Sequence, residues 1–288
     1  MDNPMRHKQQ KDENFPVASF LLGKENQKVV TAYYNFARCG DDIADNPDLE
    51  PDEKLAKLEE LEQALYGKGN SESPAYKAAY PLYQTFTTEN LSFSLASDLL
   101  TAFRQDACQF HYQTWGQLLE YCRHSAAPVG RFMLAIHNES PSTYLPSNAL
   151  CTALQIVNHI QDLKYDAKIL NRVYIPDELF IQFNVTPDIL LTDKSSAELR
   201  KLIAEIMNRV RGLLKDAEVL PGIVKSRRLR LEICVIFSLT NIMVKKILNG
   251  DVLVREIKLN KWDWLKATVS GICRGLFIRR KTLTNKGL

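Results

Sequence analysis

The chain lacks paired cysteines, membrane-length apolar runs and dense charge of one sign, and each absence removes a class of protein. Its six cysteines, Cys39, Cys108, Cys122, Cys151, Cys234 and Cys273, are widely spread, with no Cys-x-x-Cys pair and no histidine at ligand spacing. That pattern argues against a zinc site and against a disulfide framework. The longest apolar stretch, Leu231 to Val244, contains Glu232 and is shorter than the ~20 residues that span a bilayer. It reads as a buried helix. Met1 to Asn14 is polar and lacks the apolar core of a signal peptide, so the expected location is the reducing cytoplasm. The 37 Lys and Arg against 34 Asp and Glu give a net charge of +3 with signs interspersed. Without a basic stripe interleaved with aromatics, nucleic acid is not an expected partner.

Runs of alternating β-branched residues are also missing, and helical periodicity fills the space. Leu199, Leu202, Ile203, Ile206, Met207, Val210, Leu213, Leu214 and Ala217 repeat at helical spacing until Pro221-Gly222, which predicts a core-facing amphipathic helix. Leu55, Leu58, Leu61 and Leu65 predict a shorter helix after Pro47 and Pro51, ending at Gly67 and Gly69. Prolines at 47, 51, 74, 81, 141, 146, 176, 187 and 221 read as punctuation between helices of ~15 to 20 residues. The fold class is all-α.

Two acidic clusters stand out within this helical pattern. Asp41-Asp42-Ile43-Ala44-Asp45 and Asp162-Leu163-Lys164-Tyr165-Asp166 each place carboxylates four residues apart, so on a helix they lie about 40° apart, one turn above the other. Like charges at that spacing oppose the helix unless a cation lies between them. A single such pair is ordinary solvated surface, but two pairs bordered by apolar residues point to a metal platform. Hard cations such as Mg²⁺ take carboxylate oxygens and share their remaining positions with water and substrate phosphate. Two carboxylate pairs on different helices would hold a diphosphate between them and ease carbon–oxygen ionisation. Asn158, Asp162 and Asp166 read as one stripe at i, i+4 and i+8, with Gln155 three residues before Asn158 and Arg38 three before Asp41. The planar fork of Arg38 suits the same phosphate.

Trp115 to His137 reads as a single helix, yet Pro128 and Gly130 fall in its middle. A proline there frees the carbonyl of His124 and kinks the helix. The kink either fits the fold's curvature or turns a backbone dipole into a cavity.

The chain resembles the squalene and phytoene synthase family of head-to-head prenyltransferases from about Phe15 to Lys261. The stretches that carry the resemblance are Ser19-Phe20, Tyr34 to Asp45, Tyr121 to Arg131, Gln155 to Asp166 and Arg172-Val173-Tyr174-Ile175-Pro176. The Phe-Pro-Val-Ala-Ser opening and Pro-Val-Gly-Arg are most similar to the bacterial hopanoid-pathway branch. The resemblance implies an isoprenoid synthase type I helical fold with a central cavity, one domain over residues 15–288 and a disordered extension over 1–14. It implies Mg²⁺-dependent ionisation of presqualene diphosphate, rearrangement, and water capture to give hydroxysqualene.

Asp41, Asp45, Asn158, Asp162 and Asp166 then fall on metal positions, Arg38, Gln155 and Arg172 on diphosphate contacts. Ser19, Tyr34, Tyr121 and Tyr174 fall near the reacting centre. Aromatic faces stabilise cations, which makes Tyr34, Phe36, Tyr121 and Phe132 wall candidates. The chain departs from the family at Gly250-Asp251-Val252-Leu253-Val254-Arg255-Glu256, where a tyrosine is missing and Glu256 replaces an expected arginine, and at His159. Lys164 reads as solvated. The same aspartates also serve the coupling of two farnesyl or geranylgeranyl diphosphates, and a non-catalytic assembly module of the same fold is a third reading. Trp262 to Lys281 mixes apolar and basic residues, as a helix at the inner-membrane surface does, or packs its apolar face on the body. Association with other squalene-pathway enzymes is a further expectation from the resemblance.

Overall fold

A computed structural model of the chain describes residues 24–109 and 111–278. The expected extension at 1–14 and the candidate Ser19 lie outside the described residues. Those residues form thirteen α-helices and no strand: α1 Lys24–Ala44, α2 Pro51–Leu65, α3 Pro74–Thr88, α4 Ser94–Cys108, α5 Trp115–Ser125, α6 Ala127–Ile136, α7 Tyr144–Gln161, α8 Leu163–Ile169, α9 Asp177–Gln182, α10 Ala197–Ala217, α11 Leu220–Ile223, α12 Arg227–Asn249 and α13 Lys261–Phe277.

Local chemistry sets many of the boundaries. Pro51 opens α2 behind a capping box in which Glu50 and Glu53 satisfy each other's backbone, and Gly67, at a φ of 75°, lets the chain leave it. Ser73, Ser196 and Ser226 cap α3, α10 and α12 by accepting from the backbone N–H three residues on.

Two large apolar cores result, with a small third cluster of Val235, Leu239 and Ala267 where α12 meets α13. Helices α1 to α4 enclose Phe36, Leu58, Leu61, Leu82, Phe86 and Leu100, with Phe132 of α6 added. The other core draws Leu150, Ile156, Leu202, Met207, Val210, Phe237 and Met243 from α7, α10 and α12. Helix α13 lies along α12, brought close by small residues. A Cβ on Gly271 would come within 2.5 Å of the Val235 backbone.

Four expectations are corrected. Trp115 to His137 is two helices, broken at Ala126, whose φ of −121° leaves the helical region. Pro128 has no N–H for the His124 carbonyl, so it sits in the first turn of a new helix, where none is needed. Asn158, Asp162 and Asp166 do not share one helix, because Asp162 falls between α7 and α8. The backbone bonds Asp162 N–H to Asn158 O and Asp166 N–H to Asp162 O carry the helical register across that junction. Pro81 lies inside α3 rather than between helices. It is held there by buried Ala79 and Leu82 beside it and by the stacked rings of Tyr76, Tyr80 and Tyr83. Pro221 and Gly222 belong to the short α11, and the long amphipathic helix ends earlier, at Ala217.

Candidate active site

The two acidic clusters meet across one cavity of about 240 Å³, lined from α1, α4, α5, α7, α8 and the segment that follows α8. Ten of the sequence candidates line it: Arg38, Asp41, Asp45, Tyr121, Gln155, Asn158, Asp162, Asp166, Arg172 and Tyr174. Tyr34 does not. It lines a second, apolar cavity of about 360 Å³ that shares Asn158 with the first, so the two spaces adjoin at that residue. Phe132 lines the apolar cavity as expected of a wall residue. Phe36 lines neither cavity and is fully buried in the α1 to α4 core, because its side of α1 faces the other helices.

A third carboxylate, absent from the sequence candidates, organises the polar cavity. Asp106 of α4 is 6% exposed and accepts hydrogen bonds from the Tyr121 hydroxyl at 2.8 Å and the Tyr174 hydroxyl at 2.9 Å. Arg172 donates to Asp45 at 2.8 Å and to the Tyr174 hydroxyl at 3.1 Å, and its guanidinium lies 3.8 Å from Asp106. One buried cation therefore ties the first acidic cluster to Asp106. Desolvation pushes the Asp106 carboxyl up to about 6 against the opposing pull of Arg172 and both hydroxyls. The signal was present in the sequence: Leu99, Ala102, Phe103 and Asp106 share one face of α4, so an acid occupies a core position.

Arg38 bonds to Asp41 at 2.8 Å and also pairs with Asp42, partly neutralising the first cluster. Desolvation, then repulsion from Asp45, still raises the Asp41 carboxyl above the ordinary carboxylate range, although the side chain is partly open to the cavity. Across the cavity the Asn158 side-chain oxygen is buried with no hydrogen-bond donor among the described residues. Crowded carboxylates facing an unsatisfied amide oxygen form a donor set for a hard cation. Among the described residues no three His, Cys, Asp or Glu side chains converge on one point. An ion here would therefore complete its shell with water and substrate oxygens. Lys164 is not merely solvated: it donates to the Leu253 carbonyl at 2.9 Å and pairs with Asp193, tying α8 to the segment carrying Arg255. Arg255 and Glu256 line a neighbouring hollow that shares Asp162 and Tyr165 with the main cavity.

The profile of the family described as squalene/phytoene synthase matches residues 8–263. The chain belongs to that family. Hydroxysqualene synthase of Rhodopseudomonas palustris is 38% identical over 261 residues, covering 91% of this chain and 88% of that protein. Hydroxysqualene synthase of Zymomonas mobilis is 38% identical over 256 residues, covering 88% and 85%. The crystal structure of squalene synthase HpnC from Alicyclobacillus acidocaldarius superposes with a TM-score of 0.70 at 30% identity, covering 83% of this chain and 90% of that one. This squalene/phytoene synthase family member thus has the all-helical isoprenoid synthase fold that its sequence implied.

Proposed function

We propose that the chain is an enzyme that ionises presqualene diphosphate, rearranges the resulting cation and captures it with water, releasing hydroxysqualene and diphosphate. The observation that carries this reading is a cavity lined by two carboxylate clusters that adjoins an apolar one at Asn158. The diphosphate would occupy the first space and its hydrocarbon chains the second. Relatives named hydroxysqualene synthase match most of the chain.

Asp41, Asp45, Asn158, Asp162 and Asp166 would hold Mg²⁺, which when bound neutralises charge on the departing diphosphate. Arg38 and Gln155, lining the same cavity, would orient the phosphate oxygens. Arg172 positions Asp45 and the Tyr174 hydroxyl. Tyr121 and Tyr174, fixed by Asp106, turn aromatic walls toward the reacting carbons, and Tyr34 does so from the apolar side. Burial holds both phenols in their protonated form, so they offer ring faces and hydroxyl dipoles to a cation rather than charge. Ser19 would act near the reacting centre, as the resemblance implies.

Incubating purified protein with presqualene diphosphate and Mg²⁺, with NADPH omitted, tests this by mass spectrometry of the organic-soluble product. Hydroxysqualene is the expected result. Conversion only of farnesyl diphosphate, to presqualene diphosphate, would replace it with the coupling reaction.

We further infer contact with the surface of a membrane. Helix α13 presents Trp262, Leu265, Val269, Leu276 and Phe277 to solvent, with Phe277 85% exposed. Its other face packs on the body through Trp264, Ala267, Gly271, Ile272 and Gly275, which leaves those five large apolar residues outside. With Lys261, Lys266 and Arg274 on the same helix, it suits an anionic lipid surface. No helix among the described residues is long and apolar enough to cross a membrane. Leu265→Glu with Val269→Glu should abolish co-sedimentation with anionic liposomes; unchanged co-sedimentation contradicts the inference.

A further inference from the structure

The apolar cavity holds one charged side chain among the described residues that line it, Glu232 of α12. It is 3% exposed. Leu229, Glu232, Ile233 and Ile236 all line the cavity, and their spacing of i, i+3, i+4 and i+7 makes them one face of α12. A fourth aliphatic residue would complete that face. A carboxylate stands in its place, and an ionisable group lining a cleft is a functional candidate. None of the diphosphate-binding roles above uses it.

We propose that Glu232 holds the water that captures the cation and accepts its proton. This rests on the function proposed above. When the carbon–oxygen bond to diphosphate breaks, the electron pair leaves with the diphosphate and a carbocation remains where the two cavities adjoin, beside Asn158. After rearrangement, a water oxygen gives a lone pair to the cationic carbon and forms the new carbon–oxygen bond. The oxonium then passes one proton to the Glu232 carboxylate, leaving a neutral alcohol, and Glu232 later returns the proton to solvent. Aromatic walls alone stabilise a cation but take no proton.

The test compares wild-type protein with Glu232→Gln and Glu232→Leu, using presqualene diphosphate and Mg²⁺ in ¹⁸O-labelled water. Diphosphate release and the organic products are both followed, after circular dichroism has established that each variant is folded. Leucine matches the rest of the face and keeps the test open should the amide disturb packing. The expected result is continued diphosphate release, with the hydroxysqualene share of product falling about tenfold or more as elimination products replace it. An unchanged hydroxysqualene share in both folded variants overturns the inference alone. Loss of diphosphate release in both also overturns it, since Glu232 would then serve ionisation. A wild-type chain that makes no hydroxysqualene overturns the proposed function, and this inference with it.

Discussion

The imidazole of His159 lies flat on the ring of Tyr174, with centroids 3.6 Å apart and planes 18° from parallel. Burial, and then the charge of Arg172, lowers its pKa to about 3, so the ring is neutral wherever the protein is folded near neutrality. Its Nε2 has no hydrogen-bond partner among the described residues. The unfolded chain takes up a proton below about 6.5 that the native state refuses. Stability therefore falls as pH drops from about 6.5 toward 3, by about 1.4 kcal/mol per pH unit from this residue. His159→Phe keeps a stacking ring and removes that loss. Urea unfolding at pH 7 and pH 5 should show the variant losing roughly 2 kcal/mol less than wild type.

Asp106 joins two tyrosines and one arginine, so its removal reaches the whole cavity. Asp106→Asn keeps an acceptor for the hydroxyls but removes a counter-charge from Arg172, which is 4% exposed. Arg172 keeps Asp45 as its counter-charge, so the cost is that of poorer partners for buried polar groups, about 1 to 3 kcal/mol. Denaturant titration should register that loss, and turnover of the folded fraction should fall about tenfold or more as Tyr121 and Tyr174 lose their fixed positions.

Proton and metal compete for Asp41. Desolvation and repulsion from Asp45 raise its folded pKa, so the native state holds a proton that the unfolded chain releases above about 3.8. Without metal, this group stabilises the fold in acid, and that contribution is lost as pH rises through its folded pKa. A divalent cation replaces the proton. The rise in Tm on adding Mg²⁺ with inorganic diphosphate should be larger at pH 8 than at pH 5.5; equal rises would count against metal binding at these carboxylates.

Two glycines in helices should respond in opposite directions. Gly271 has the Val235 backbone within 2.5 Å of where a Cβ would stand, so Gly271→Ala should cost about 1 to 3 kcal/mol by forcing α13 off α12. Gly212, inside α10, has nothing within 4 Å. Gly212→Ala should stabilise by about 0.5 to 1 kcal/mol. Thermal unfolding of the pair measures both.

Much of this architecture was legible in the residues, because period and punctuation are local. The leucines of α2 and the nine apolar positions of α10 fall where their spacing put them. Carboxylate clusters were equally visible, since charge inside apolar sequence needs a partner. Tertiary choices were harder to read. Pro128 permits a kink or a break, and the packing of Gly130 against Ser147 and Cys151 of α7 favours two short helices over one bent helix. Phe36 and Tyr34 are two residues apart on α1, and only the position of the neighbouring helices sends one to the core and the other to the apolar cavity. Asp106 was harder to read for another reason: its core position on α4 was visible, but one acid in an apolar helix carries no motif. Its meaning comes from residues 15 and 68 positions away that bond to it.

Diphosphate release from presqualene diphosphate by wild type, Asp41→Asn and Asp162→Asn, in single turnover with saturating Mg²⁺, is the most direct test. Each substitution removes one carboxylate charge from opposite sides of the cavity while keeping its shape. If the two clusters jointly hold and ionise the diphosphate, each variant should lose about two orders of magnitude or more in rate with its circular dichroism unchanged. Near-normal release by both folded variants would contradict the shared metal platform.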